Sequence, residues 1–251
     1  MNTERINICG VRVSAVNLTI ACDIFDGWIR DRKKTYVCVA PVSTIVDCQS
    51  DDEYKRIVNK ADMVTPDGMP VVWVGRLKGS TTIDRTYGPD LMHAFCDYSQ
   101  AKGYKHYFYG GSESTCSLLK SVLNNKFHNL NIIGSFAPPL RPVHAKESSE
   151  IIDKINSSNP DIIWVGLGSP KQDYWMYEHR DLFKAPILVG VGAAFDFIAG
   201  TKKQAPKWMQ RSGLEWLYRL CCEPKRLWRR YLIGNTKFLY YLMTDLFRKK
   251  T

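Results

Sequence analysis

Four short stretches join an apolar run to glycine or proline and a polar side chain. That combination ends a strand and brings backbone N–H groups close to a ligand. They are TPDGMP with Asp67, YGGSES with Gly110 and Gly111, VGLGSPKQD with Gly166, Gly168, Ser169 and Gln172, and VGVGAAFDF with Gly190, Gly192 and Asp196. Three of the four run into a helical pattern, which suits a nucleotide or pyrophosphate. Asp67 follows a strand and precedes a glycine, so it is a candidate general base and equally a candidate helix cap. Arg85, in TTIDRTYGPD, reads either as a phosphate partner or as one half of an ion pair with Asp84 or Asp90. Asp196 lies in the apolar run AAFDFIAG, where a carboxylate needs partners, structural or ligand. Ser169-Pro170-Lys171-Gln172 has the order of a capped helix start, with Ser169 as cap and Gln172 as its reciprocal partner. Gln172 reaches a ligand only if it is released from that duty. No complete GxGxxG or GxxxxGK[ST] is present, so a dinucleotide dehydrogenase is poorly supported. The five histidines have no ligand spacing and no DxD occurs, so neither a metal nor a cofactor is expected.

These loops must be positioned by the elements between them. Apolar, β-branched runs predict strands at 36–40, 62–65, 105–109, 131–136, 161–165 and 186–189. Helical spacing predicts helices over 44–59, 68–77, from Pro89 onward, and over 114–126, 146–156 and 170–180. Strands alternating with helices argue for an α/β fold: a Rossmann-like parallel sheet with helices on both faces. Ligands of such sheets bind outside the carboxyl ends of the strands, where all four stretches fall.

The charge is distributed unevenly. Residues 201–251 hold thirteen of the 35 Lys and Arg and three of the 25 Asp and Glu, and so carry the whole formal charge of +10. The same segment is rich in Trp and Tyr and is interrupted at Pro224. The chain therefore divides into an α/β catalytic domain at 1–200 and a basic, aromatic, helical appendage at 201–251. Cations among aromatics suit an anionic interface, a membrane surface first and nucleic acid second. No run of eighteen apolar residues predicts a spanning helix, and no signal peptide is evident. The eight scattered cysteines form no CxxC and read as reduced thiols.

The blocks PDGMPVVW, RTYGPDLM, YFYGG, VGLGSPKQDYWM and GVGAAFDFIAGTKKQAPKWMQRSGLEWLYRLCCEPKRLWRRYL are similar to the WecG/TagA/CpsF family, glycosyltransferase family 26. The resemblance spans roughly residues 35–240 in order. It implies an inverting transferase that moves a sugar, N-acetylmannosamine or a related hexose, from UDP to a polyprenyl-diphosphate-linked acceptor in bacterial surface polysaccharide or teichoic acid synthesis. It implies Asp67 as base and Arg85 and Gln172 in the active-site pocket. Arg219, Arg226 and Arg229 would belong to an appendage closing over the donor diphosphate at the membrane. Arg226 and Arg229, as i, i+3 neighbours, would share one helix face. Gly110, Gly111, Gly168 and Asp196 complete the substrate-binding expectation from the strand ends. Where family members carry Thr-x-Asn, this chain reads Val39-Ala40-Pro41, so the donor sugar is not carried over.

The expected setting is the cytoplasmic face of the bacterial plasma membrane, with the enzyme bound peripherally to anionic lipid. The expected partners are the UDP-sugar and the lipid-linked acceptor, with no nucleic acid, and a homo-oligomer is compatible with the sequence. A nucleic-acid-binding module is the rival reading. It accounts for the basic tail and leaves the strand-end loops without a task.

Overall fold

The computed structural model describes residues 3–139 and 147–248. The chain opens with an antiparallel hairpin, β1 (Arg5–Ile8) and β2 (Val11–Ser14), turning through Cys9 and Gly10. Helix α1 (Leu18–Arg30) follows, capped by Asn17, whose side chain accepts from the Ile20 N–H. Then come β3 (Thr35–Ala40), α2 (Val42–Ser50), α3 (Asp52–Lys60), β4 (Met63–Pro66), α4 (Met69–Leu77), α5 (Gly88–Ser99), β5 (Lys105–Gly110) and α6 (Glu113–Lys126). They are succeeded by β6 (Asn131–Phe136), α7 (Ser149–Ser157), β7 (Ile162–Gly166), α8 (Lys171–His179), β8 (Ile187–Gly190) and the short α9 (Ala194–Ile198). The tail folds as α10 (Lys207–Arg211), α11 (Glu215–Cys222) and α12 (Pro224–Trp228), then through a π-helical turn at Arg229–Ile233 into α13 (Gly234–Arg248).

Strands β3 to β8 form one parallel sheet in the order β4-β3-β8-β7-β5-β6. Because side chains alternate across a strand, β3 sends Tyr36, Cys38 and Ala40 into one buried layer and Val37 into the other. Helices α2, α3, α4, α7 and α8 cover the first face, and α1, α5, α6 and α9 the second. The expected Rossmann-like arrangement is therefore what forms. The hairpin, which the sequence reading did not place, lies along edge strand β4, where the Ser14 hydroxyl accepts from the Val64 N–H at 3.1 Å. A hairpin so placed covers an edge that would otherwise be open to another strand.

Two predicted helices differ in their ends. The single helix expected over 44–59 is two helices, broken at Asp51, whose backbone is extended (φ −138°, ψ 97°). The Asp51 carboxylate accepts from the Tyr54 N–H at 2.8 Å and so starts α3 afresh. The helix expected over 146–156 begins at Ser149, behind a Ser148 cap. Lys146, and His144 to which no role was given, lie outside the described residues.

The tail packs onto the body. Phe238 of α13 is buried in the layer that holds Ile45 and Cys48 of α2. Asp245 pairs with Lys78 and accepts from the Cys9 N–H, and Arg230 donates to the Ser43 hydroxyl at 2.7 Å. Among the described residues no helix is long and apolar enough to cross a membrane.

Candidate active site

A cavity of about 400 Å³ opens outside the carboxyl ends of β3, β4, β7 and β8. Asp67, Gly168, Gln172 and Asp196 line it from the body, and Trp216, Arg219, Arg226, Arg230 and Tyr231 from the C-terminal helices.

Asp67 follows β4 directly. It does not cap the next helix: the cap position of α4 is Gly68, with φ 90°. Among the described residues the Asp67 carboxylate has no hydrogen bond and no ion pair, although Arg85, Arg219 and Arg230 all act on it. Burial first, then the charge of Glu215, lift its pKa to about 7 against the pull of those three arginines. An unpaired carboxylate half-ionised near neutrality is equipped to take a proton at physiological pH.

Arg85 does not line the cavity. Of the two ion-pair partners expected for it, Asp90 is the one it takes: Arg85 donates to Asp90 at 2.8 Å and also to Glu215 of α11 at 2.7 Å, while Asp84 pairs with Arg76. Its guanidinium lies 4.1 Å from the ring centre of Tyr87. It therefore ties the C-terminal helices to the body behind Asp67.

Gln172 is buried and hydrogen-bonded through both its side-chain carbonyl and its amide. Its side-chain carbonyl accepts from the Gly168 N–H at 3.2 Å and the Gly192 N–H at 2.9 Å, and its amide donates to Ser169 Oγ at 3.2 Å. The expected cap does not form, since the cap position of α8 is Pro170 and no side chain bonds there. Two glycine N–H groups that suited a phosphate are thus spent on holding two loops together. Gly110 and Gly111 also stand away from the cavity. A Cβ on Gly110, whose φ is 122°, would meet the Gly166 backbone at 2.6 Å, so this glycine permits close approach of β5 and β7. Asp196 lines the cavity with a partner, Lys202, at 2.9 Å.

The arginines divide. Arg219 lies 5.4 Å from the Phe197 ring centre and Arg226 pairs with Glu223, both on the cavity. Arg229 is exposed beside Trp228 and is not on the cavity; Arg230, one position on, is. The i, i+3 face expected for Arg226 and Arg229 is replaced by an i, i+4 face, because the chain runs helically from α12 into the turn and puts position 230 on the cavity side with 226.

The sequence profile of the "Glycosyl transferase WecG/TagA/CpsF family" matches residues 6–251. The chain belongs to that family. It is similar to the N-acetylglucosaminyldiphosphoundecaprenol N-acetyl-beta-D-mannosaminyltransferase of Bacillus spizizenii (strain ATCC 23059 / NRRL B-14472 / W23), at 31% identity over 205 residues, 82% of this chain and 77% of the relative. It is also similar to the protein of that name from Bacillus subtilis (strain 168), at 28% identity over 201 residues, 80% and 76% of the two chains. As a WecG/TagA/CpsF glycosyltransferase, the protein has its cavity where an open parallel sheet binds ligands.

Besides Arg230, two further groups of this glycosyltransferase escaped the sequence reading. Glu215, one of three acids in the basic tail, stands four residues before Arg219, so one helix face presents both. Asp173, next to Gln172, is wholly buried and accepts from the Tyr54 hydroxyl at 2.7 Å. Burial raises its pKa to about 6, against hydrogen bonds from Tyr54, Cys38 and Ser169. It anchors the Ser169 loop from beneath.

Proposed function

We propose that the enzyme transfers a sugar from a UDP-sugar to a polyprenyl-diphosphate-linked sugar with inversion at the anomeric carbon. Asp67 takes the proton of the acceptor hydroxyl. That oxygen forms the new bond to the anomeric carbon as the bond to the UDP oxygen breaks, and UDP leaves with the electron pair. The observation that carries this reading is the unpaired Asp67 carboxylate facing a cavity bordered by Arg219, Arg226 and Arg230. A positioned base contributes roughly 10²–10⁴-fold in rate. Guanidinium groups stabilise the charge that develops on a departing diphosphate, with bidentate geometry that lysine lacks.

The relatives' names point to an N-acetylglucosamine-diphosphoundecaprenol acceptor and an N-acetylmannosamine group transferred to it, in the synthesis of a cell-surface polymer. The donor here is N-acetylmannosamine or a related hexose, and the Val39 and Pro41 side chains at the cavity make its identity a matter for direct assay. The acceptor's lipid cannot leave the bilayer. The exposed Trp228, Leu232, Tyr240 and Phe247, among basic residues of the tail, would therefore bring the enzyme to the cytoplasmic membrane face.

The test is UDP release from a panel of UDP-sugars with polyprenyl-diphosphate-N-acetylglucosamine as acceptor. One donor should turn over, and Asp67→Asn should lose about 10²-fold or more of that turnover while keeping its fold and UDP affinity. Retention of more than about a tenth of wild-type turnover would show that Asp67 is not the base.

A further inference from the structure

The charges of three guanidinium groups, Arg85, Arg219 and Arg230, act on Asp67, and none pairs with it among the described residues. Arg85 is the one supplied by the body, and its side chain is nearly buried. Asp67, Glu215 and Asp90 are the carboxylates that act on it. Nη1 is bound by Asp90 and Nη2 by Glu215, with the plane held against Tyr87. Without Glu215, Nη2 would be a buried, charged donor with no acceptor, a costly state that is relieved by closing on the remaining anion. Asp90 already holds Nη1, so the anion left for Nη2 is Asp67. A carboxylate paired with arginine is held ionised and is a poor proton acceptor at neutral pH.

We propose that Glu215 is a positioning residue for this reaction: arriving on α11, it occupies Arg85 and leaves the Asp67 carboxylate unpaired to receive the acceptor proton. The inference rests on the reading of Asp67 as the base. Charge acts in the same direction as geometry. After burial, Glu215 is the strongest influence on Asp67 and raises its proton affinity, while Arg85, Arg219 of α11 and Arg230 lower it. Tyr87 and Tyr231 face the same group and stay protonated, because burial raises both.

Glu215 and Arg85 are 130 residues apart in the chain and meet only through docking of the C-terminal helices. The base is therefore available when those helices are seated and the cavity is complete. With the helices displaced, Arg85 neutralises Asp67, and an open site does not activate water against a bound donor.

The test reads Asp67 directly, without donor or acceptor. The full-length protein is labelled with ¹³C at aspartate carboxyls, and the Asp67 resonance is assigned by its absence in Asp67→Asn. In wild type it should titrate with a midpoint near 7. Glu215→Ala should lower the midpoint by about one pH unit or more, and Glu215→Gln, which keeps an acceptor for Arg85 and removes the charge, by less. Adding Arg85→Ala to Glu215→Ala should bring it back up, a reversal that a merely structural role would not produce. An unmoved midpoint in a Glu215→Ala protein with native circular dichroism would overturn the proposal, as would failure of the double variant to reverse the change. If Glu215→Ala does not fold, Glu215→Gln and the double variant still decide. Should the midpoints move as expected while Asp67→Asn retains turnover, the coupling stands and the assignment of the base fails.

Discussion

At the residue scale, the role proposed for Asp67 would link rate and stability through one ionisation. Its pKa rises from the ordinary 3.8 to about 7 on folding. Between those values the folded state holds more protons than the unfolded one, so stability falls as pH rises through that window and levels off above 7. With Asp67 as the proposed base, activity runs the other way, because the base must be ionised: kcat/KM, which reports the free enzyme, should climb with a midpoint near 7 on its acid limb. Thermal unfolding of wild type against Asp67→Asn should show the variant gaining relative stability from about pH 4 to 7 and holding that gain above it. A stability difference that does not change with pH would mean Asp67 keeps its ordinary pKa. The arginines make a second residue-scale prediction. Arg230→Ala should cut turnover well beyond Arg229→Ala, since only position 230 lines the cavity. Equal losses, measured with detergent-solubilised acceptor, would indicate that both reach the diphosphate.

At the element scale, the C-terminal helices are held by few but well-placed contacts. Helix α11 is tethered by Glu215 to Arg85, and α13 by Asp245 to Lys78 and by buried Phe238. Truncating a buried phenylalanine costs about 3–5 kcal/mol from lost transfer energy and the cavity left behind. Phe238→Ala should therefore destabilise the whole domain by roughly that amount in urea unfolding, because Phe238 shares its layer with Ile45 and Cys48 of α2. A loss below about 1 kcal/mol would mean that α13 docks without belonging to the core. The same logic explains the split of 44–59. Tyr54 must pack within the helical layer and reach Asp173, and the break at Asp51 aims α3 accordingly.

For the whole molecule, a charge-balanced body carries a cationic tail whose outer face is also apolar. Lys225, Arg229 and Lys237 are exposed there, near Trp228, Leu232 and Tyr240. Each cation near an anionic leaflet contributes about 1 kcal/mol, decaying within a Debye length. Replacing all three with Glu should release the protein from phosphatidylserine-containing vesicles at low salt and leave the buried contacts of Phe238 and Leu227 intact. Wild type should itself detach as salt is raised. Co-sedimentation that is indifferent to both changes would remove the membrane from the account of the tail.

The sheet was legible because its parallel strands, buried on both faces except at edge strand β6, are largely apolar runs, and the segments after them gathered Asp67, Gln172 and Asp196 at one end. The family could be read from contiguous blocks, which need no fold to be compared. The N-terminal hairpin escaped notice because its strands are four residues long and its Cys9-Gly10 turn lacks the Asn-Gly signature. What needed the tertiary structure were relations between distant positions. Gln172 bridges Gly168 and Gly192 only because β7 and β8 are neighbours in the sheet. Arg85 read as a phosphate partner or as half of a local ion pair, and its second bond, to Glu215, became visible only when α11 brought that residue beside it. Arg230 displaced Arg229 on the cavity because the rotation of the tail helices is set by what they bury, Leu227 in α12 and, against α2, Phe238 in α13. Local spacing determines which residues share a face. Packing against the rest of the chain determines which way that face points, and the physical reason is that burying apolar surface from remote segments decides the rotation.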